Sequence, residues 1–271
     1  MPITARFRAL PVLLLAACPL AARAGTVEVF VLAGQSNATG AGARAAELPP
    51  DLAAPQPDVL FWFEEGTYGA VANPSQRITS GAFLPLQFQT DPSEELFLGA
   101  ADGFGPEIRL GRDLADAIVE DVAIVKVAFN RTNLARDWNA SRNASLYRQM
   151  RDLLRSALAE LSRAGDTPQL AGFFWVQGES DAMSEPAATR YFQNLRVLIA
   201  RLRQELSAPF LPFVFARLRA GLAEACCPGF PFVAVVRTAQ ADVARRVANT
   251  VLVDTDDLEV RNDTVHYDSA A

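Results

Sequence analysis

Val27-Glu28-Val29-Phe30-Val31-Leu32-Ala33-Gly34-Gln35-Ser36-Asn37 is the stretch on which the reading of this chain turns. Seven residues rich in β-branched and aromatic side chains predict a buried first strand, and Gly34 ends it. An amide, a hydroxyl and a second amide follow at once. Similar runs recur at Val59–Phe63, Val122–Ala128, Gly172–Val176, Leu211–Phe215 and Thr250–Val253. Helical patterns lie between them, at Pro106–Val119, Ser145–Ala164, Ala187–Leu206 and Phe232–Ala248. Pro106 followed by Glu107 has the form of a helix start, with proline at the first position and an acid in the first turn. Strands alternating with helices of this length imply βαβ units and a parallel sheet covered on both faces, an α/β fold.

Residues 41–105 break the rhythm. Pro49, Pro50, Pro55, Pro57, Pro74, Pro85 and Pro92 surround a single strand. Long connections in compact domains are commonly functional, so this segment is expected to build a pocket rim. At 271 residues, half of them hydrophobic, the chain supports one sizeable core, and residues 25–271 are read as one domain.

The first two dozen residues have a basic start (Arg6, Arg8), an apolar middle (Ala9–Ala22) and Ala22-Arg23-Ala24 before Gly25, the pattern of an export signal over 1–24. The apolar run is short for a membrane span, and no other stretch is long and apolar enough. Export to the periplasm or the exterior is expected. Leu15-Ala16-Ala17-Cys18 offers a rival cleavage box that would leave a lipid anchor on Cys18. Removing the leader takes away three arginines and no acid, so the formal charge goes from −6 to −9. That balance argues against a nucleic-acid partner, whose phosphates demand a basic patch, and suits a neutral sugar. Lys126 is the sole lysine, a skew assigned to composition. Beyond the leader, only the adjacent Cys226 and Cys227 remain. They cannot staple a long loop, and with one histidine in the chain there is no metal-ligand spacing and no implied cofactor.

Ligands of open parallel sheets bind beyond the carboxyl ends of the strands, and three polar motifs sit there. Gly34-Gln35-Ser36-Asn37 places a hydroxyl at the mouth of a strand-to-helix turn, where its own N–H is free to meet an oxyanion. It also suits a plain helix cap, and its spacing is not that of the Gly-x-Ser-x-Gly elbow. Trp175-Val176-Gln177-Gly178-Glu179-Ser180-Asp181 supplies an amide donor and a carboxylate. Asp263-Thr264-Val265-His266 puts a carboxylate three residues before an imidazole, close enough to fix the tautomer that leaves Nε2 as a base. If a serine here needs a histidine base, His266 is the sole candidate.

Together with Gly105-Pro106-Glu107, the Lys126–Trp138 block and Gln240, these motifs resemble the SGNH hydrolases. The likeness is to the sialate O-acetylesterase-like domain shared with carbohydrate esterase family six, which includes acetylxylan esterases. The resemblance implies a three-layer α/β/α sandwich with a central parallel sheet of flavodoxin-like type. It also implies removal of O-acetyl groups from an acetylated carbohydrate, through Ser36 as nucleophile and His266 as general base. The oxyanion would be held by the Ser36 N–H, an N–H of the Asn130-Arg131 turn and the Gln177 side chain, with Gln35 and Glu179 completing the site. Asp263 is the favoured acid partner by its spacing, with Glu179 the alternative.

Two features depart from the family pattern. The glycine pair usual after the third strand is replaced by Asn130-Arg131. Asparagine tolerates positive φ, so Asn130 is expected to keep the turn, while Arg131 narrows the pocket or recognises an acidic sugar. The chain also stops five residues after His266, where relatives continue into a closing helix. Trp62 and Trp138 are candidate stacking surfaces, though aromatics at such places are more often core. A lipase or thioesterase relative would carry Gly-Asp-Ser, and an asparagine in place of Gln177. A carbohydrate-binding protein on the same fold is the remaining alternative.

Overall fold

The computed structural model describes residues 25–68, 77–89, 102–143, 145–224 and 229–270. The leader with Cys18, the cysteine pair 226–227, Pro74 and Pro92 lie outside them. The first apolar run is strand β1 (Thr26–Gly34), followed by a single helical turn α1 (Ser36–Thr39). The remaining strands are β2 (Gln56–Thr67), β3 (Arg77–Thr79), β4 (Leu84–Leu86), β5 (Asp121–Asn130), β6 (Thr167–Val176), β7 (Phe213–Ala216) and β8 (Thr250–Val253). The remaining α-helices are α2 (Glu107–Ala117), α3 (Leu146–Ala164), α4 (Glu179–Ala182), α5 (Glu185–Glu205) and α6 (Val233–Arg246). Gly165 takes the left-handed conformation just past α3, and Pro186 opens α5; each ends or starts a helix as its chemistry favours.

Among the described residues the sheet runs β3-β2-β5-β1-β6-β7-β8, with β4 also on β2. Every pair from β2 to β8 is parallel, whereas β3 and β4 pair antiparallel with β2. Numbered along the chain, β1, β5, β6, β7 and β8 lie in the order 2-1-3-4-5 of flavodoxin-like folds, and β2 extends the sheet beyond β5. Strand β2 continues four residues past the expected end, through two acids. Glu64 is paired with Arg77 at 3.3 Å and Glu65 with Lys126 at 2.6 Å, which makes a strand out of residues that read as a loop.

Odd-numbered residues of β1 and β5 face the larger core, where Val29, Val31, Val125 and Val127 meet α3, α5 and α6. Even-numbered residues face a smaller one around Leu32, Ile124 and Ile108 of α2. The second layer is thin. Helix α2 packs on β2 and β5, while Val251 and Val253 of β8 remain 55% and 45% exposed. No described helix is long and apolar enough to cross a membrane.

The rings of Phe173 (β6) and Phe213 (β7) stack with centroids 5.0 Å apart in the larger core, both fully or almost fully buried. Phe213→Ala removes one ring from a close-packed interior and is expected to cost about 3–5 kcal/mol. A denaturant titration reads this as a lower midpoint at unchanged slope.

Candidate active site

Strands β5 and β6 flank β1 on opposite sides, so the chain leaving β1 emerges in the crevice where the strand order reverses. Gly34 makes that exit. Its φ is +154°, and a Cβ there would lie 2.0 Å from the Val176 carbonyl oxygen. The Gln35 N–H then donates to that same oxygen at 3.0 Å. Ser36 begins α1, and Gly40, at φ +82°, closes it with an N–H to the Ser36 carbonyl. Ser36 is buried to 6% exposure, and among the described residues neither its hydroxyl nor its N–H is hydrogen-bonded.

The segment carrying His266 folds back on itself. Val260 bridges Tyr267, the Arg261 N–H donates to the His266 carbonyl at 2.8 Å, and the Thr264 N–H donates to the Arg261 carbonyl at 2.8 Å. Asp263 Oδ1 accepts the N–H groups of Val265 and His266, each at 2.9 Å, and Oδ2 lies 2.6 Å from His266 Nδ1. Burial alone would raise the Asp263 carboxyl, but these bonds outweigh it and hold the group below the ordinary carboxylate range. The expected Asp–His contact is therefore formed, and Nε2 is the imidazole nitrogen left for other work.

No hydrogen bond joins Ser36 to His266 among the described residues. Asn37 brings their segments together instead. Its Nδ2 donates to Glu179 Oε1 at 2.6 Å and to the Val265 carbonyl at 3.4 Å, and its Oδ1 accepts the Tyr267 N–H at 3.1 Å. The residue after the serine thus holds both neighbours of the histidine. Burial pushes Glu179 above its ordinary range, against its own N–H, the Asn37 amide and the attraction of His266. Its Oε2 is buried with no described hydrogen-bond partner, and the imidazole bonds to Asp263.

Gln177 is locked from every side. Its amide nitrogen has two hydrogens and three acceptors, namely Asp181 Oδ2 at 2.7 Å, Gln35 Oε1 at 3.2 Å and the Thr132 carbonyl at 3.2 Å. The buried Tyr191 hydroxyl donates to the Gln177 carbonyl at 2.8 Å, and Gln35 Oε1 also accepts the Ser180 N–H at 3.2 Å. Asp181 accepts the N–H groups of Leu134 and Ala135 at 2.7 and 3.1 Å, fixing the loop after β5; burial pushes its carboxyl up to about 6.

At that loop the structure corrects one expectation. The left-handed residue is Arg131, at φ +60°, while Asn130 ends β5 and its Oδ1 accepts the Thr39 hydroxyl at 2.8 Å. The turn is held by the Thr132 hydroxyl, which donates to the Phe129 carbonyl at 2.6 Å, and by the Asp181 bonds to Leu134 and Ala135, not by the propensity of Asn130. Arg131 is exposed. Trp62 and Trp138 are core residues, packed edge-on against Phe83 and Trp175, and offer no stacking face. Gln240 is fully buried and ties Leu218 to Ala216.

The described part of the 41–105 segment does line a cavity, of about 430 Å³, through Ala41, Leu48, Leu52 and Phe104. Asn37 and Tyr267 border it, whereas Ser36 and His266 do not. Sequence reasoning missed Asn37, Asp181 and Tyr191. The first two stand inside the polar motifs that follow β1 and β6, where a further polar side chain is a usable signal; Tyr191 sits in a helix with nothing to mark it.

The family model for carbohydrate esterase, sialic acid-specific acetylesterase, matches residues 26–271. A probable carbohydrate esterase of Arabidopsis thaliana is 24% identical over 255 residues, covering 90% of this chain and 85% of that one. The crystal structure of the Arabidopsis thaliana protein superposes with a TM-score of 0.63 at 23% identity, over 90% of this chain and 91% of that chain. A carbohydrate acetylesterase from Xanthomonas citri (TM-score 0.58, 19% identity, 88% of this chain and 52% of that chain) and NanS (0.57, 18%, 91% and 87%) share the fold. The chain belongs to the sialic acid-specific acetylesterase family of carbohydrate esterases, and is by that membership a carboxylic ester hydrolase.

Proposed function

We propose that this protein removes O-acetyl groups from a carbohydrate by a two-step serine mechanism. The observation that carries the reading is the 2.6 Å contact of Asp263 with His266 Nδ1, delivered beside the Ser36 turn by Asn37. Ser36 Oγ attacks the acetyl carbonyl while His266 Nε2 takes its proton. His266 then gives that proton to the departing sugar oxygen, leaving acetyl-Ser36. Water, deprotonated by His266, releases acetate and restores the serine. Asp263 fixes the tautomer and stabilises the imidazolium.

For the oxyanion we assign the Ser36 N–H and the Arg131 N–H, neither of which has an acceptor among the described residues. Each such donor is worth about 3 kcal/mol of barrier. Gln177, its amide committed to three internal acceptors, is assigned to holding Gln35 and the Thr132 loop in place. The exposed guanidinium of Arg131 and the sialic acid specificity named for the family support an acidic sugar as the substrate. The leader-like residues 1–24 support an exported enzyme.

Hydrolysis of 4-nitrophenyl acetate should be lost in Ser36→Ala and in His266→Ala, by about 10³-fold or more in kcat, with folding intact. A folded wild type no more active than these variants would instead leave a carbohydrate-binding protein. Asp263→Asn should cost about 10²-fold or more and Glu179→Gln clearly less; the reverse order would make Glu179 the acid partner.

Asn37→Ala breaks the bridge between the two reacting segments. We expect kcat to fall about 10- to 100-fold, because small misplacements of reacting groups are costly. Steady-state kinetics beside a thermal melt separates this from unfolding.

The His266 segment is also latched to the rim. Arg261 reaches Glu47 Oε2 at 2.6 Å, and the Ser269 hydroxyl bonds to the same oxygen. The Arg261 guanidinium, opposed by partial burial, holds the Glu47 carboxyl at about 2, below its ordinary 4.5. A depressed carboxyl stabilises the folded state fully above its unfolded value and loses that contribution as pH falls through the folded one. The stability advantage of wild type over Glu47→Gln should be full above pH 4.5 and vanish near pH 2, as read by denaturant midpoints across that range.

A further inference from the structure

Lys126, the one lysine of the chain, is completely buried on the even-numbered face of β5. Its ammonium lies 2.6 Å from Glu65 Oε1 of β2 and 2.8 Å from Glu107 Oε2 at the start of α2, and it donates to the Thr39 carbonyl of α1 at 3.2 Å. Three hydrogens meet three acceptors. Both carboxylates are likewise fully buried, and Glu107 Oε1 accepts the Gly105 N–H at 2.8 Å. Gly105 in turn lies flat on α1, where an added Cβ would stand 2.9 Å from the Ala38 carbonyl oxygen and 3.0 Å from Lys126 Nζ. Gly40 is pressed against the Phe104 carbonyl, 1.7 Å from where its Cβ would be.

Desolvating three charges costs more than it returns unless geometry is excellent, and apolar residues of similar volume usually stabilise a core as well or better. Stability is therefore a poor account of the cluster. Its placement supplies a better one, since the ammonium bonds to the Thr39 carbonyl of α1 itself. The Thr39 hydroxyl lies 2.7 Å from the Ser36 carbonyl and 2.8 Å from Asn130 Oδ1. One residue therefore joins the buried ammonium to the serine turn and to the turn that faces it.

We propose that Lys126, Glu65 and Glu107 are positioning residues for the ester hydrolysis, holding the Ser36 turn against the Asn130–Arg131 turn through Thr39. This rests on Ser36 being the nucleophile. Two carboxylates face one ammonium, and burial together with the Glu107 charge raises Glu65 to about 7, against the pull of Lys126 and of the buried Gln89 amide. The charged groups that bear on Glu65 are Lys126 and Glu107.

Kinetics on 4-nitrophenyl acetate test the idea in Thr39→Val, Thr39→Ser, Glu65→Gln and Lys126→Met, each checked for folding by circular dichroism. Lys126→Met leaves two carboxylates without their cation and is the variant most at risk of not folding; the other three do not depend on it. Thr39→Val should lose kcat about tenfold or more at a KM within about twofold, and Thr39→Ser should recover it. The wild-type kcat against pH should carry, beside the ionisation of the histidine base that all variants keep, a second ionisation that Glu65→Gln lacks. The proposal is overturned if folded Thr39→Val and Glu65→Gln keep the wild-type kcat and pH profile, or if Thr39→Ser fails to restore what Thr39→Val loses. A wild type inert toward the ester refutes the nucleophile assignment itself, a different result from active wild type with indifferent variants.

Discussion

Gly34 sets its bare Cα against the Val176 carbonyl, and the geometry of the site starts from that approach. Two parallel strands end side by side, so a chain leaving one must turn at once or collide with the other. A residue with a side chain has no room at 2.0 Å from an oxygen, and φ +154° suits glycine alone. The turn puts Ser36 at the crevice between strands that run on to opposite sides of the sheet. Gly40 and Gly105 repeat the device one turn later, letting three backbone segments stack without side chains between them.

Around that turn the protein buries polar groups instead of excluding them. Gln177, Asp181, Tyr191 and Gln35 form one hydrogen-bonded network, and Lys126, Glu65 and Glu107 form another, ion-paired cluster. Polar groups tied to one another in a low-dielectric interior have few alternative arrangements. Rigidity of this kind suits a site that must hold two turns in fixed relation. It also shelters Arg131, whose left-handed backbone is sterically unfavourable and persists because the residues after it are pinned by Asp181.

The histidine arrives differently. Its segment is short of regular structure and half exposed, and it is held by side chains reaching back: Asn37 from the serine turn, Glu47 from the rim, and Thr255 through the Tyr267 hydroxyl at 2.8 Å. The Ser36 segment is thus built into the sheet, and the His266 segment is tied on. The thin second layer has the same origin, because residues 254–270 run as turns past the carboxyl ends and leave the outer face of β8 partly bare.

The alternation of β-branched runs with amphipathic helices was legible because its causes are local, namely side-chain period and chain stiffness, and so were the polar triplets that follow the strands. The Asp263–His266 contact was legible for the same reason, since three residues of spacing nearly impose it. Partnership across the chain was not. Asn37 meets Tyr267 at a separation of 230 residues, and Lys126 finds its two acids on a strand and a helix that no local pattern pairs. Arg131 rather than Asn130 takes the left-handed position because tertiary hydrogen bonds outweigh a backbone preference of about 1–2 kcal/mol. The sequence by itself determined which residues have chemistry to offer and on which strand ends they stand. Only the folded chain decided which of them face one another, because burial of charge and amide is settled by partners that arrive from elsewhere in the chain.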